Sequence, residues 1–215
     1  MPSSRHQAPV PGIGPPFVPS SLTVNPKSKG YSLNHVALQV SSIDQAFLFY
    51  VDFLGLSLAF AVNTGPFTAY YLGYAQEGVD TSPADLAGST STRTGFLELI
   101  FSHDDEATGN EGPRQGPTVA VNGPTQTSSK QRFGFAHLGF RVPDVDEALK
   151  RATEKGFNVI KPLGDADVSH VRFPSWEAGY GSRKESHPFF QNALAGIGFI
   201  EDPDGNVIEL LPPDL

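Results

Sequence analysis

A chain of 215 residues with no cysteine and a formal net charge of −8 is long enough to bury a core as one or two domains. The missing cysteines exclude disulfides, iron–sulfur clusters, cysteine-ligated zinc and a thiol nucleophile, so any metal must be held by His, Asp, Glu, Gln or water. With 15 Lys+Arg against 23 Asp+Glu there is no overall footprint for nucleic acid, and no run of 18 apolar residues offers a membrane span.

In chain order, Met1 to Gly30 comes first as a Pro/Ser-rich stretch with Pro2, Pro9, Pro11, Pro15, Pro16, Pro19 and Pro26. That many prolines break any helical or strand period, and no continuous apolar run makes a secretory signal. Residues 1–30 read as an extended or disordered arm, with the cytoplasm as the expected location of the protein. Residues 31–215 read as the working domain.

That domain repeats itself once. A shift of 102 positions carries His35, Val40, Asp44 and Ala46 onto His137, Val142, Asp146 and Ala148, with apolar residues matching between them. Each segment reads as an alternating strand, a polar turn and a helix. Asp44 and Asp146 are candidate helix caps, and Gly55 and Gly156 suit left-handed helix ends. Middle strands are expected at 57–62 and 69–74, and again at 158–161 and 196–201. A second pair of segments, Phe96-Leu97-Glu98-Leu99-Ile100 and Val207-Ile208-Glu209-Leu210-Leu211, closes the halves. Asp202-Pro203-Asp204-Gly205 reads as a hairpin turn before the last strand. The modules are then 31–103 and 131–215. Residues 104–130 form a connecting loop and 164–191 an insertion that carries Trp176, Tyr180, Phe189 and Phe190 beside Arg172, Arg183 and Lys184. That insertion packs on the rim or walls a substrate site.

Strand alternation sorts the side chains. His35, Ala37 and Gln39 share one face of their strand, opposite Val36, Leu38 and Val40; His137, Gly139 and Arg141 share the corresponding face of theirs. Glu98 and Glu209 each stand in an apolar strand, where a carboxylate is costly unless paired or coordinated. A single such Glu pairs with Arg as readily as with a metal. Two His and two Glu at symmetric positions of a duplicated module are a donor set for Zn, Ni, Co, Fe or Mn.

Through Asn34-His35-Val36, Leu97-Glu98-Leu99, Gly134-Phe135-Ala136-His137-Leu138-Gly139 and the run from Asp202 to Leu210, the chain resembles the vicinal oxygen chelate (glyoxalase/bleomycin resistance/dioxygenase) superfamily. Within it the chain is most similar to the glyoxalase I family, over roughly 31–212. The resemblance implies an α+β fold, two βαβββ modules forming an open cup-shaped mixed β-barrel around one divalent metal. It carries over His35, Glu98, His137 and Glu209 as metal ligands, with Glu209 as the catalytic base and Glu98 serving the opposite face. The implied reaction converts the glutathione hemithioacetal of methylglyoxal to an α-hydroxythioester through an enediolate, with glutathione as cosubstrate and no organic redox cofactor.

The substrate-binding positions depart from the family. Gln39 stands where an Arg is common, and Ser102 where an Asn is common. The Arg usual four residues before the second metal His falls at Phe133, with Arg132 one place off. Arg141 holds, in the second repeat, the position of Gln39 in the first, and is a candidate anion-binding residue with Gln39, Ser102, Arg132 and Trp176. These departures leave two other classes open. One is a related metal-dependent epimerase, ring-rearranging isomerase or ring-cleaving dioxygenase acting on a non-glutathione small molecule of secondary metabolism; the other is a binding module that sequesters a small molecule. The arm favours a homodimer.

Overall fold

The computed structural model describes residues 11–20, 26–103, 135–170 and 186–214. The first module runs β1 (His35–Gln39), α1 (Ile43–Phe47), β2 (Ser57–Asn63), β3 (Phe67–Gly73), α2 (Pro83–Ser89) and β4 (Phe96–Ser102). The second runs β5 (Leu138–Arg141), α3 (Val145–Glu154), β6 (Val159–Lys161), α4 (Pro188–Ala195), β7 (Gly198–Glu201) and β8 (Val207–Leu211). Both sheets have four strands, ordered β1-β4-β3-β2 and β5-β8-β7-β6. In each, the first strand pairs parallel with the last, and the remaining pairs are antiparallel. The expected α+β architecture of two βαβββ modules is present as two open sheets, and no strand pairing among the described residues joins them into a closed barrel. Helices α2 and α4 add to the expected plan.

The helices begin two residues before the positions that the repeat suggests. Ser42 and Asp144, not Asp44 and Asp146, are the caps, accepting from the Gln45 and Glu147 backbone N–H. α1 continues directly into a π-helical turn over Leu48–Phe53, which closes with a bond from the Leu54 N–H to the Phe49 carbonyl at 2.9 Å. Gly55 and Gly156 follow the two helices at φ of +82° and +80°, where a side chain would clash with its own backbone.

One core joins the two modules. Leu38, Val40, Leu97 and Leu99 meet Ala46, Phe49, Tyr50 and Phe53 from one side, and Val145, Ala148, Leu149, Ala152, Ile200, Ile208 and Leu210 from the other. Each Leu, Ile, Val or Phe among them contributes about 1.5–3 kcal/mol on full burial. Phe49 meets Phe157 edge-on at 4.8 Å, and Arg151 donates to the Phe53 carbonyl at 2.8 Å. The Asp202-Pro203-Asp204-Gly205 turn forms as expected and does more than reverse the chain. Asp202 accepts the Tyr50 hydroxyl at 2.6 Å, and Asp204 accepts the Ser41 N–H at 3.1 Å, so the turn latches one module to the other.

Candidate metal centre

The faces that carry His35, Glu98, His137 and Glu209 are the faces turned away from this common core. The registers set His35, Ala37 and Gln39 beside Phe96, Glu98 and Ile100, and Gly139 and Arg141 beside Glu209 and Leu211. The alternation of Leu38, Leu97 and Leu99 inward therefore forces the ionisable residues outward.

Each module brings one His and one Glu together. His35 Nε2 lies 3.2 Å from a Glu98 oxygen, and His137 Nε2 lies 3.4 Å from a Glu209 oxygen. The His side chains are 34% and 28% exposed and the Glu side chains 14% and 17%, so each pair remains partly open to solvent. Among the described residues no group of three or more His, Asp or Glu is gathered to hold a metal ion. The four candidate ligands thus stand as two half-sites.

The residues around His35 suit a metal ligand. Asn34 donates its amide to the Thr90 and Arg93 carbonyls at 2.7 and 3.0 Å, which aims its oxygen at His35 Nδ1, 2.9 Å away. A proton on Nδ1 then leaves the Nε2 lone pair facing the Glu98 carboxylate. A proton or a metal ion can bridge Nε2 and the carboxylate at this distance, and an orienting bond to the far nitrogen is what a ligating His commonly has. In the second module the corresponding residue is Ala136. Small residues flank both glutamates: Ala37 lies beside Glu98, and a Cβ at Gly139 would come within 3.3 Å of Glu209 Oε2.

Of the candidate substrate contacts, Gln39 and Ser102 stand together, the Gln39 amide donating to the Ser102 hydroxyl at 3.3 Å. Arg141 is exposed on the Glu209 face and donates to the Pro212 carbonyl. Arg132 and Trp176 lie outside the described residues, as do the connecting loop and much of the insertion. The other described histidines of the working domain, His103, His170 and His187, are exposed or half-buried, and each has a partner. His103 pairs with Thr68 at 2.8 Å, His170 with Asp165 at 2.6 Å, and His187 caps α4 by accepting the Phe189 N–H. Lys161 is fully buried, its ammonium bonded to the Leu194 and Ile197 carbonyls at 2.7 and 2.6 Å, where it closes the C-terminal end of α4. Burial pushes its pKa down, with Asp165 opposing.

The sequence reading also missed Asn34 as an orienting residue and Tyr71, whose ring meets His35 edge-on at 5.2 Å. Asn34 has a visible signal, being adjacent to a candidate ligand. Tyr71 has none, because unequal insertions before the last strands hide its alignment with the second module.

A family model for the Glyoxalase/Bleomycin resistance protein/Dioxygenase superfamily matches residues 32–210, and the chain belongs to that family. It is similar to a lactoylglutathione lyase of Schizosaccharomyces pombe, 28% identical over 145 residues, covering 66% of this chain and 43% of that protein. The chain therefore spans less than half the length of that relative. It is also similar to a lactoylglutathione lyase of Pseudomonas aeruginosa, 29% identical over 159 residues, covering 70% of this chain and 79% of the relative. Among solved structures, the trypanothione-dependent glyoxalase I of Leishmania major aligns over 85% of this chain and 87% of its own, at 18% identity and a TM-score of 0.47.

Proposed function

We propose that this protein is a metal-dependent lyase/isomerase of the glyoxalase I type, a lactoylglutathione lyase acting on the hemithioacetal of methylglyoxal and glutathione. The observation that carries the reading is the duplicated His–Glu pair: His35 with Glu98, and His137 with Glu209, at matching positions on faces turned away from the core. One divalent ion, Zn, Ni, Co, Mn or Fe, would be held by these four side chains and would polarise the substrate's adjacent oxygens. Glu209 takes the proton from the sulfur-bearing carbon and returns it to the neighbouring carbon, while the hydroxyl proton passes between the two oxygens. Atoms and charge balance without an external oxidant. A glutathione adduct as substrate assigns this work to the reducing cytoplasm.

With the half-sites on outward faces, the centre is completed between two copies of the chain. His35 and Glu98 of one meet His137 and Glu209 of the other. Leu33 and Phe135 support this arrangement. Each lies two residues before its module's histidine, and they are 76% and 49% exposed, so apolar surface stands next in sequence to each half-site for a second copy to cover.

A second reading is favoured by Gln39, which is neutral where glutathione-binding relatives commonly carry Arg and which donates to Ser102. In that case the substrate is a smaller oxygen chelator whose carboxylate meets Arg141.

An ultraviolet thioester assay with methylglyoxal and glutathione, run with Zn, Ni and Co in turn, decides between the readings. Thioester formation with at least one metal is the expected result. Metal binding without turnover by any of the three overturns the glutathione reading in favour of the second.

A further inference from the structure

The connection before the last strand differs sharply between the modules. In the second, residues 202–206 turn directly from β7 to β8, whereas in the first, residues 74–95 carry α2 before β4 begins. The two carbonyls that hold the Asn34 amide, those of Thr90 and Arg93, belong to this longer connection. Ala136 stands in the second module where Asn34 stands in the first, and its methyl group offers His137 no such bond. The long connection and the asparagine therefore occur together, in one module only.

Two carbonyls can be met only by the amide nitrogen of Asn34, so its oxygen is the atom that faces His35 Nδ1 at 2.9 Å. An acceptor there places the ring proton on Nδ1 and leaves the lone pair on Nε2. The Arg93 side chain holds the connection in shape. Its Nη1 donates to Asp80 Oδ2 at 2.6 Å and to Ser89 Oγ at 2.9 Å, and its Nη2 donates to the Tyr74 carbonyl at 2.7 Å. One guanidinium thus joins the start, middle and end of residues 74–95. The Asp80 side chain is 2% exposed and its Oδ2 also accepts the Gln76 N–H at 2.7 Å, so the anchor is itself fixed. The Phe96 N–H bonds the Asn34 carbonyl at 3.3 Å, which ties the main chain of Asn34 to the same segment's end.

We infer that Arg93 is a positioning residue for His35, acting through Asn34 to fix the imidazole with its proton on Nδ1 and its Nε2 free to ligate. The Asp80–Arg93 ion pair sets the carbonyls, the carbonyls set the amide, and the amide sets the ring. The ligating role of Nε2 rests on the metal-centre reading above, whereas the tautomer does not. His137, beside Ala136, lacks the device, so one half-site alone is set in advance.

The test is Arg93→Lys in the full chain. Lysine keeps a charge opposite Asp80 but has no planar fork to reach Ser89 and Tyr74 as well. Long-range proton–nitrogen NMR spectra of the metal-free protein, at about pH 8 where a free imidazole is neutral, read the tautomers of His35 and His137. His35→Gln supplies the assignment. The parent should carry the His35 proton on Nδ1. In Arg93→Lys and in Asn34→Ala that preference should fall several-fold, with the His137 signals unchanged. Ser89→Ala removes one of the three arms and leaves the ion pair whole; it should give a smaller shift of the same sign, and it decides the matter if the lysine variant does not fold. Arg151→Lys, which disturbs a like arginine–carbonyl bond to Phe53 in the core, should leave both histidines unchanged. Zinc affinity, measured by competition with a chromophoric chelator, should fall by about tenfold in Arg93→Lys and Asn34→Ala. A His35 that keeps its Nδ1 proton in Arg93→Lys, or that carries it on Nε2 in the parent, overturns the inference. So does parental zinc affinity in both variants. If the tautomer responds as expected while the parent binds no zinc, the metal-centre reading falls and the positioning of the ring stands.

Discussion

Glu209→Gln is expected to lower turnover of the hemithioacetal by about 10²–10⁴-fold, the range that a positioned proton carrier supplies. Glutamine has the same shape and keeps an oxygen toward His137, so the fold and the packing against Gly139 survive. On the proposed mechanism, what is lost is the group that accepts a carbon-bound proton and gives it back. Glu98→Gln makes the informative comparison. It removes a negative ligand, so metal affinity should fall more than in Glu209→Gln, whereas turnover at saturating metal should fall less. The pair of variants, assayed for bound metal and for initial rate, separates holding the ion from moving the proton. Equal losses in both measurements for both variants would contradict distinct roles.

Asp202→Ala is expected to destabilise the protein by about 3–5 kcal/mol, because several donors lose one acceptor. The Asp202 carboxylate is 5% exposed and accepts from the Tyr50 hydroxyl, the Asp204 and Asn206 N–H groups and the Asn206 amide. Burial pushes its pKa up, against the pull of these hydrogen bonds, led by Asn206 and Tyr50. Tyr50 is fully buried and lies in the other module, so its hydroxyl has no route to water once the carboxylate is gone. Tyr50→Phe removes the donor instead and should cost about 1–3 kcal/mol. Urea unfolding measures both. A single cooperative transition with a lowered midpoint is expected, since one core spans the modules. Two separate transitions would instead mean that the latch couples modules which otherwise unfold independently.

Much of this fold is legible in the sequence. The repeat of His35 in His137 and of Glu98 in Glu209 fixes which strands begin and end each module, and period-two alternation fixes which faces carry the ionisable side chains. The middle strands fall within a residue or two of their expected places. The two added helices were not readable. α2 begins at Pro83 after a capping Ser82, but it is a single short element whose one buried residue, Leu86, gives no period to detect. α4 is stabilised from a distance by Lys161, a contact across 33 residues that no local pattern carries. Nor was the latch readable. Asp202-Pro203-Asp204-Gly205 looks like a turn because it is one, and its inter-module role depends on Tyr50 and Ser41 arriving opposite it. The candidate ligand set is legible as two residue types at four symmetric positions. Their separation into two outward half-sites depends on how the helices pack between the sheets, and packing across modules leaves no periodic trace.

In the proposed function the metal centre is shared between two copies of the chain. It is tested by mixing two inactive variants, His35→Ala/Glu98→Gln and His137→Ala/Glu209→Gln, refolded together from denaturant. A mixed dimer pairs one intact first module with one intact second module, and random pairing yields about a quarter of the parental sites. Bound zinc and turnover should therefore both recover to about a quarter of the parental level, in a species of dimeric mass. A mixture that stays as empty and inactive as either variant alone, while the parent binds metal, would contradict the account and confine the centre to a single chain.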